Sequence, residues 1–120
     1  MEILYEDNHI IIVNKCAGEI VQGDKTGDEP LSETLKRLIK ERDAKPGNVF
    51  MGVVHRLDRP VSGVVVFAKT SKALSRMNAM FASGEVHKTY WAVTAGTPSA
   101  AEATLTHHIS STERNNKSYA

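Results

Sequence analysis

The sequence predicts an α+β domain, on three observations. Short β-branched runs alternate with two stretches of helical periodicity, turn-forming residues punctuate them, and the chain is long enough for one core. With 120 residues, 41% hydrophobic and 24% charged, the composition is that of an ordinary globular protein and excludes disordered or fibrous classes. A single domain over residues 1–120 is expected.

The elements follow in order. Residues 2–6 and 9–14 are β-rich runs separated by Asp7-Asn8, a good turn pair. The second run, His9 to Asn14, is nearly all β-branched and reads as a strand at a sheet centre. Gly18, Gly23, Gly27 and Pro30 mark residues 15–30 as loop. From Pro30, Leu31, Leu35, Leu38 and Ile39 fall at helical spacing, with Asp28 and Glu29 at the positive end of the helix dipole. Pro46-Gly47-Asn48 ends that helix. Residues 51–54 read as a strand entering a polar turn, and 64–68 as a second buried strand. A helix is expected from about Thr70 to Ser83, capped by Thr70 or Ser71 and stopped by Gly84. Residues 85–94 alternate as a strand does, with Lys88 and Tyr90 on one face and Trp91 on the opposite, core-facing side. A further strand is expected at 102–109, a hairpin turn around Arg114 to Lys117, and a strand from Ser118.

Cys16 is the only cysteine, so an internal disulfide and a thiolate zinc cage are excluded and a reducing, cytoplasmic setting is expected. His107 and His108 are neighbours on an expected strand and face opposite ways, which argues against a shared metal. The opening residues lack the basic and apolar regions of a signal peptide, and no apolar run approaches membrane-spanning length. The formal net charge of +1 neither requires nor forbids a polyanionic partner.

The chemistry-bearing stretch is His55 to Gly63. Asp58 sits on a tight loop between apolar runs, with Arg56 before it and Arg59 after it. Flanking guanidinium groups would favour the ionised carboxylate that nucleophilic or electrostatic catalysis needs. The same residues could equally form a surface ion-pair cluster, and physics alone leaves both readings open.

A resemblance bears on the choice. His55-Arg56-Leu57-Asp58, followed by Ser62-Gly63 and Ala68-Lys69, resembles the H-R-L-D, T-S-G, A-K signature of the RluA-type pseudouridine synthases. Ile3 to Asp7 with Ile10 to Lys15 resembles the family's opening hairpin, and Lys88-Thr89-Tyr90-Trp91-Ala92 its K-x-Y-x-A strand. Two positions depart: Cys16 stands where the family often has Pro, and Val61 where it usually has Thr.

The resemblance implies a mixed, mostly antiparallel β-sheet with two helices, and an RNA uridine isomerase acting on ribosomal or transfer RNA without metal or organic cofactor. Asp58 and Tyr90 would be catalytic. Asp58 would attack the target nucleotide, and Tyr90 would lie against the extruded base. Arg56 would enter the RNA where that nucleotide leaves, and Arg59, Lys69 and Lys88 would join it as RNA contacts. His55 is expected to be structural, hydrogen-bonded within the turn. A glycoside hydrolase would need a second carboxylate paired with Asp58, and Glu85 is the only loose candidate. The family's later motif, roughly G-R-x-H-Q-I-R, does not occur in this sequence. A truncated chain is therefore expected, its C-terminal part absent. Its exposed apolar surface would favour a homodimer, and it would be inactive or nearly so, at most binding RNA weakly.

Overall fold

The computed structural model describes residues 1–112 and 117–119. They fall into two compact units, Met1–Lys88 and Thr89–Ala120.

In the first unit, β1 (Glu2–Glu6) and β2 (Ile10–Lys15) form an antiparallel hairpin. Asp7 makes the turn: its Oδ1 accepts from the backbone N–H groups of His9 at 2.7 Å and Ile10 at 2.8 Å. An irregularity in register between Ile3 and Tyr5 bends β1 at its edge position. α1 (Leu31–Arg42) follows the long loop, then β3 (Gly52–Val53), β4 (Gly63–Ala68) and α2 (Ser71–Ala82). The sheet order is β1-β2-β4-β3, and each of its ladders is antiparallel.

Alternation decides which face each helix covers. Ile11, Val13, Val65 and Phe67 share one face, where they are fully buried against Leu31, Leu35 and Ile39 of α1. Gly52 lies opposite Ala68 on the other face. A Cβ there would stand 3.0 Å from Leu74 of α2, so that helix seats closely because position 52 has no side chain. The start of α1 is capped by tertiary structure: with Pro30 as N-cap and no side-chain acceptor, Leu31 and Ser32 donate to the carbonyls of Ile20 and Val21 at 2.8 and 3.4 Å. α2 has its expected cap, Thr70 Oγ1 accepting from Ala73 N–H at 3.0 Å.

An ion-pair clamp ties three elements together at one sheet end. Arg42 grips Glu6 through both terminal nitrogens at 2.7 Å, and Lys69 Nζ reaches Glu6 at 2.6 Å and the Asp7 carbonyl at 2.8 Å. Hydrogen bonding from Arg42, reinforced by Lys69, holds the Glu6 carboxyl at about 2, against an ordinary 4.5. A carboxyl so depressed stabilises the fold above its ordinary value, and that contribution disappears as pH falls toward 2. With solvent screening around half-exposed Arg42, Glu6→Gln is expected to cost about 2 kcal/mol at pH 7 and to flatten the acid limb of stability below pH 4.5. Urea unfolding across pH 2–7 checks this, and parallel acid limbs in both proteins would refute it.

Two expected strands do not form. Residues 85–94 join no ladder and are exposed from 87 onward, and residues 102–109 are bend and coil, with β5 (Ser110–Thr112) beginning beyond them. A strand is stable only when its backbone groups are paired, and the described residues supply neither segment with a partner. Trp91, expected in the core, is 96% exposed. β5 and β6 (Lys117–Tyr119) pair antiparallel, Ser110 opposite Tyr119. The hairpin turn expected between them falls on residues 113–116, outside the described residues.

Candidate active site

The loop between β3 and β4 is built around three side chains that point inward. Leu57 packs against the core and lies 3.6 Å from where a Cβ on Gly63 would stand. That seating turns its neighbours Arg56 and Asp58 out to solvent, where both are exposed. Gly63 has φ 143°, a left-handed conformation that a side chain would strain, and it lets the loop turn into β4.

The second inward side chain is Lys15, at the end of β2 and 0% exposed. Its ammonium donates to the main-chain carbonyls of Cys16 at 3.1 Å, Arg59 at 3.0 Å and Val61 at 2.5 Å. The Arg59 carbonyl also accepts from Gly18 N–H at 2.8 Å. Burial pushes the Lys15 ammonium below its usual value, while Glu19, Cys16 and Asp58 pull it back. Asp58 thus sits in the field of a buried cation that also anchors its loop.

The third is His55. Its Nε2 accepts from Val66 N–H of β4 at 3.1 Å, and the half-buried ring stacks on Phe81 at 4.9 Å. Burial, helped by Lys88, lowers its basicity.

The expectation that both arginines flank the Asp58 carboxylate is corrected for Arg59. Its guanidinium reaches Asp24 at 3.2 Å, Asp28 at 3.0 Å, Thr26 Oγ1 at 3.0 Å and the Gly18 carbonyl at 3.2 Å. The loop of residues 15–30 runs beside the Asp58 loop and offers two carboxylates there, so the long side chain turns that way. Among the described residues the Asp58 carboxylate has no hydrogen-bond or ion-pair partner, so Arg56, Asp58 and Arg59 do not form a local ion-pair cluster. Of the other expected RNA contacts, Lys69 is held by Glu6, and Lys88 is exposed, its Nζ 5.9 Å from the Phe81 ring centre. Tyr90 belongs to the second unit and is 61% exposed. Among the described residues no three His, Cys, Asp or Glu side chains gather as metal ligands.

Sequence reasoning gave Lys15 no role in the site, although a signal was there: positions 11, 13 and 15 share the buried face of a strand. An ammonium placed on that face must find acceptors, and the adjacent loop provides them.

The first unit is thus an α+β unit that presents an exposed carboxylate on a loop anchored by Lys15 and His55. The chain belongs to the RNA pseudouridylate synthase family, which matches residues 9–120, and within it to the RluA type. It is 42% identical to the tRNA pseudouridine synthase C of Vibrio cholerae, over 80% of this chain and 37% of that protein. It is 39% identical to the ribosomal large subunit pseudouridine synthase D of Xylella fastidiosa, over 78% of this chain and 28% of that protein. The fold matches human RNA pseudouridylate synthase domain containing 4 with a TM-score of 0.59 at 24% identity, covering 70% of this chain and 30% of that one. The chain thus spans about a third of the length of the curated relatives it matches. No helix among the described residues is long and apolar enough to cross a membrane.

Proposed function

We propose that the protein carrying this sequence isomerises uridine to pseudouridine in ribosomal or transfer RNA, in the cytoplasm, with Asp58 as nucleophile. The observation that carries the reading is Asp58 itself: a solvent-facing carboxylate on a doubly anchored loop, in a chain that the family matches from residue 9 to 120. Relatives named for tRNA and for the large ribosomal subunit support an RNA substrate of either class.

The Asp58 carboxylate attacks the target nucleotide, the N-glycosidic bond breaks, and the uracil turns and rejoins through carbon 5 as the bond to Asp58 breaks. The freed N1 takes up a proton, and carbon 5 loses its own. Tyr90 stacks on the extruded base and assists that proton's departure, because an unstacked uracil needs an aromatic surface in place of its neighbours. Arg56, exposed beside Asp58, fills the gap in the RNA. Lys88 contacts phosphate, and Arg59 and Lys69 reach RNA only by leaving their present carboxylates. The isolated chain is inactive and pairs with a second copy, a reading supported by the exposure of Trp91, Val93, Leu105 and Ile109.

The test is a chimera in which this chain replaces the matching segment of the Vibrio cholerae relative, assayed by tritium release from RNA carrying 5-tritiated uridine. Turnover by the chimera is expected, and none by the chain alone. Release of free uracil instead would point to glycoside hydrolysis and overturn the reading.

A further inference from the structure

We infer that His55 is a positioning residue for Asp58: its neutral imidazole docks the carboxylate-bearing loop onto the open edge of β4, and a proton on the ring undocks it.

The geometry follows from how short β3 is. β3 pairs with β4 only at Gly52–Ala68 and Val53–Phe67. One residue further along, the Val66 N–H faces the same edge with no strand to receive it, and an unpaired edge donator of this kind needs an acceptor. The chain leaves the ladder at Val54, and His55 Nε2 takes that bond at 3.1 Å. The imidazole is thus the last rung of the β3–β4 ladder, three residues before Asp58. Phe81 of α2 lies nearly parallel to the ring, 27° between planes, and fixes its orientation. Lys15 secures the far side of the loop at Arg59 and Val61. Asp58 therefore sits between two anchors, and His55 is the one that a single proton can switch.

The switch is a matter of donor count. Nε2 accepts only when the proton is on Nδ1, and the imidazolium would set Nε2–H against the Val66 N–H, donor facing donor. The surrounding charges favour the neutral ring. Burial disfavours the charged ring first, and Lys88 acts in the same sense. The strands packed on it, Gly52–Val53 and Gly63–Ala68, carry no ionisable side chain, α2 carries Lys72 and Arg76, the loop carries Arg56, Asp58 and Arg59, and the segment after α2 adds Glu85 and His87. With the folded-state basicity lowered, the unfolded chain binds the proton first, so docking is complete above the ordinary value of 6.5 and is lost as pH falls through the lower folded-state value. The consequence for catalysis rests on reading Asp58 as nucleophile, whereas the docking itself does not.

A pH titration of the 15N-labelled chain decides it without any assay of activity. Long-range proton–nitrogen spectra are expected to show His55 as the Nδ1–H tautomer, taking its proton only below the ordinary value of 6.5. The amide signals of Leu57, Asp58 and Arg59 should move with His55, and Val66 amide exchange should quicken about tenfold on protonation. In His55→Gln, whose amide oxygen accepts without ionising, Val66 stays protected and the loop amides stop titrating. In His55→Phe, Val66 protection is lost at every pH while Ile11 and Phe67 remain protected. An Nε2–H tautomer, ionisation of His55 at or above the ordinary value of 6.5, or Val66 protection unchanged in His55→Phe would each overturn the inference. If the Phe variant fails to fold, the wild-type titration and the Gln variant still decide. In the chimera, kcat is expected to fall with His55 protonation and to lose that acid limb in His55→Gln, while failure of turnover at all pH would count against the Asp58 reading alone.

Discussion

Asp58→Ala in the chimera is expected to lower turnover at least about a thousandfold, equivalent to about 4 kcal/mol of transition-state stabilisation, because a covalent route disappears with its nucleophile. The same substitution should leave stability within about 0.5 kcal/mol, the range for surface changes. The carboxylate is exposed and, among the described residues, bonded to nothing that its removal would strand. That dissociation of activity from stability is the useful feature of the prediction. Asp58→Glu, which pushes the oxygens one methylene outward, is expected to lose about a hundredfold, the scale of a 1 Å misplacement. Tritium release together with urea unfolding of the same samples provides the check. Turnover of the alanine variant within tenfold of the parent would remove Asp58 from the mechanism.

Lys15→Met should act the other way round, on stability first. Methionine fills much of the lysine volume but has no donor, so the Val61 carbonyl loses its ammonium partner and those of Cys16 and Arg59 keep only the N–H groups of Glu19 and Gly18. At about 1 kcal/mol for the first and about 0.5 kcal/mol for each of the others, the loss is about 2 kcal/mol. For a unit of this size that lowers Tm by roughly 8–16 °C. Trp91 lies in the other unit, so far-ultraviolet circular dichroism is the better probe of unfolding than its fluorescence. Below the melting transition, amide exchange at Val61 should rise at least about tenfold as the loop loosens. A Tm within 3 °C of the parent would mean that the buried ammonium contributes nothing net.

The elements whose signals are local were legible in the sequence. The Asp7 turn, the helix beginning after Pro30 and the Thr70 cap follow from side-chain chemistry within a few residues, whereas His55, expected to bond within its turn, bonds to Val66 of β4 instead. What was not legible depends on a partner. Residues 85–94 have the alternation of a strand and 102–109 were also expected to form one, yet local pattern only permits a strand and a neighbouring ladder must complete it. Arg59 was misjudged for a related reason. Proximity in sequence to Asp58 does not bind a long side chain, and the carboxylates it found, Asp24 and Asp28, lie in a loop with no periodicity to announce its path. The motif at 55–58 placed the carboxylate on its loop; how the loop is held down required the fold.

The three acceptors around Lys15 belong to the main chain, and two of them sit at the positions where this sequence leaves the family's usual pattern, Cys16 and Val61. A peptide oxygen is the same oxygen whichever residue carries it. Mutational drift at either position can therefore alter the loop's outer lining, its thiol or its missing hydroxyl, without touching the fastening beneath. The fastening of the loop is indifferent to side-chain identity at both positions.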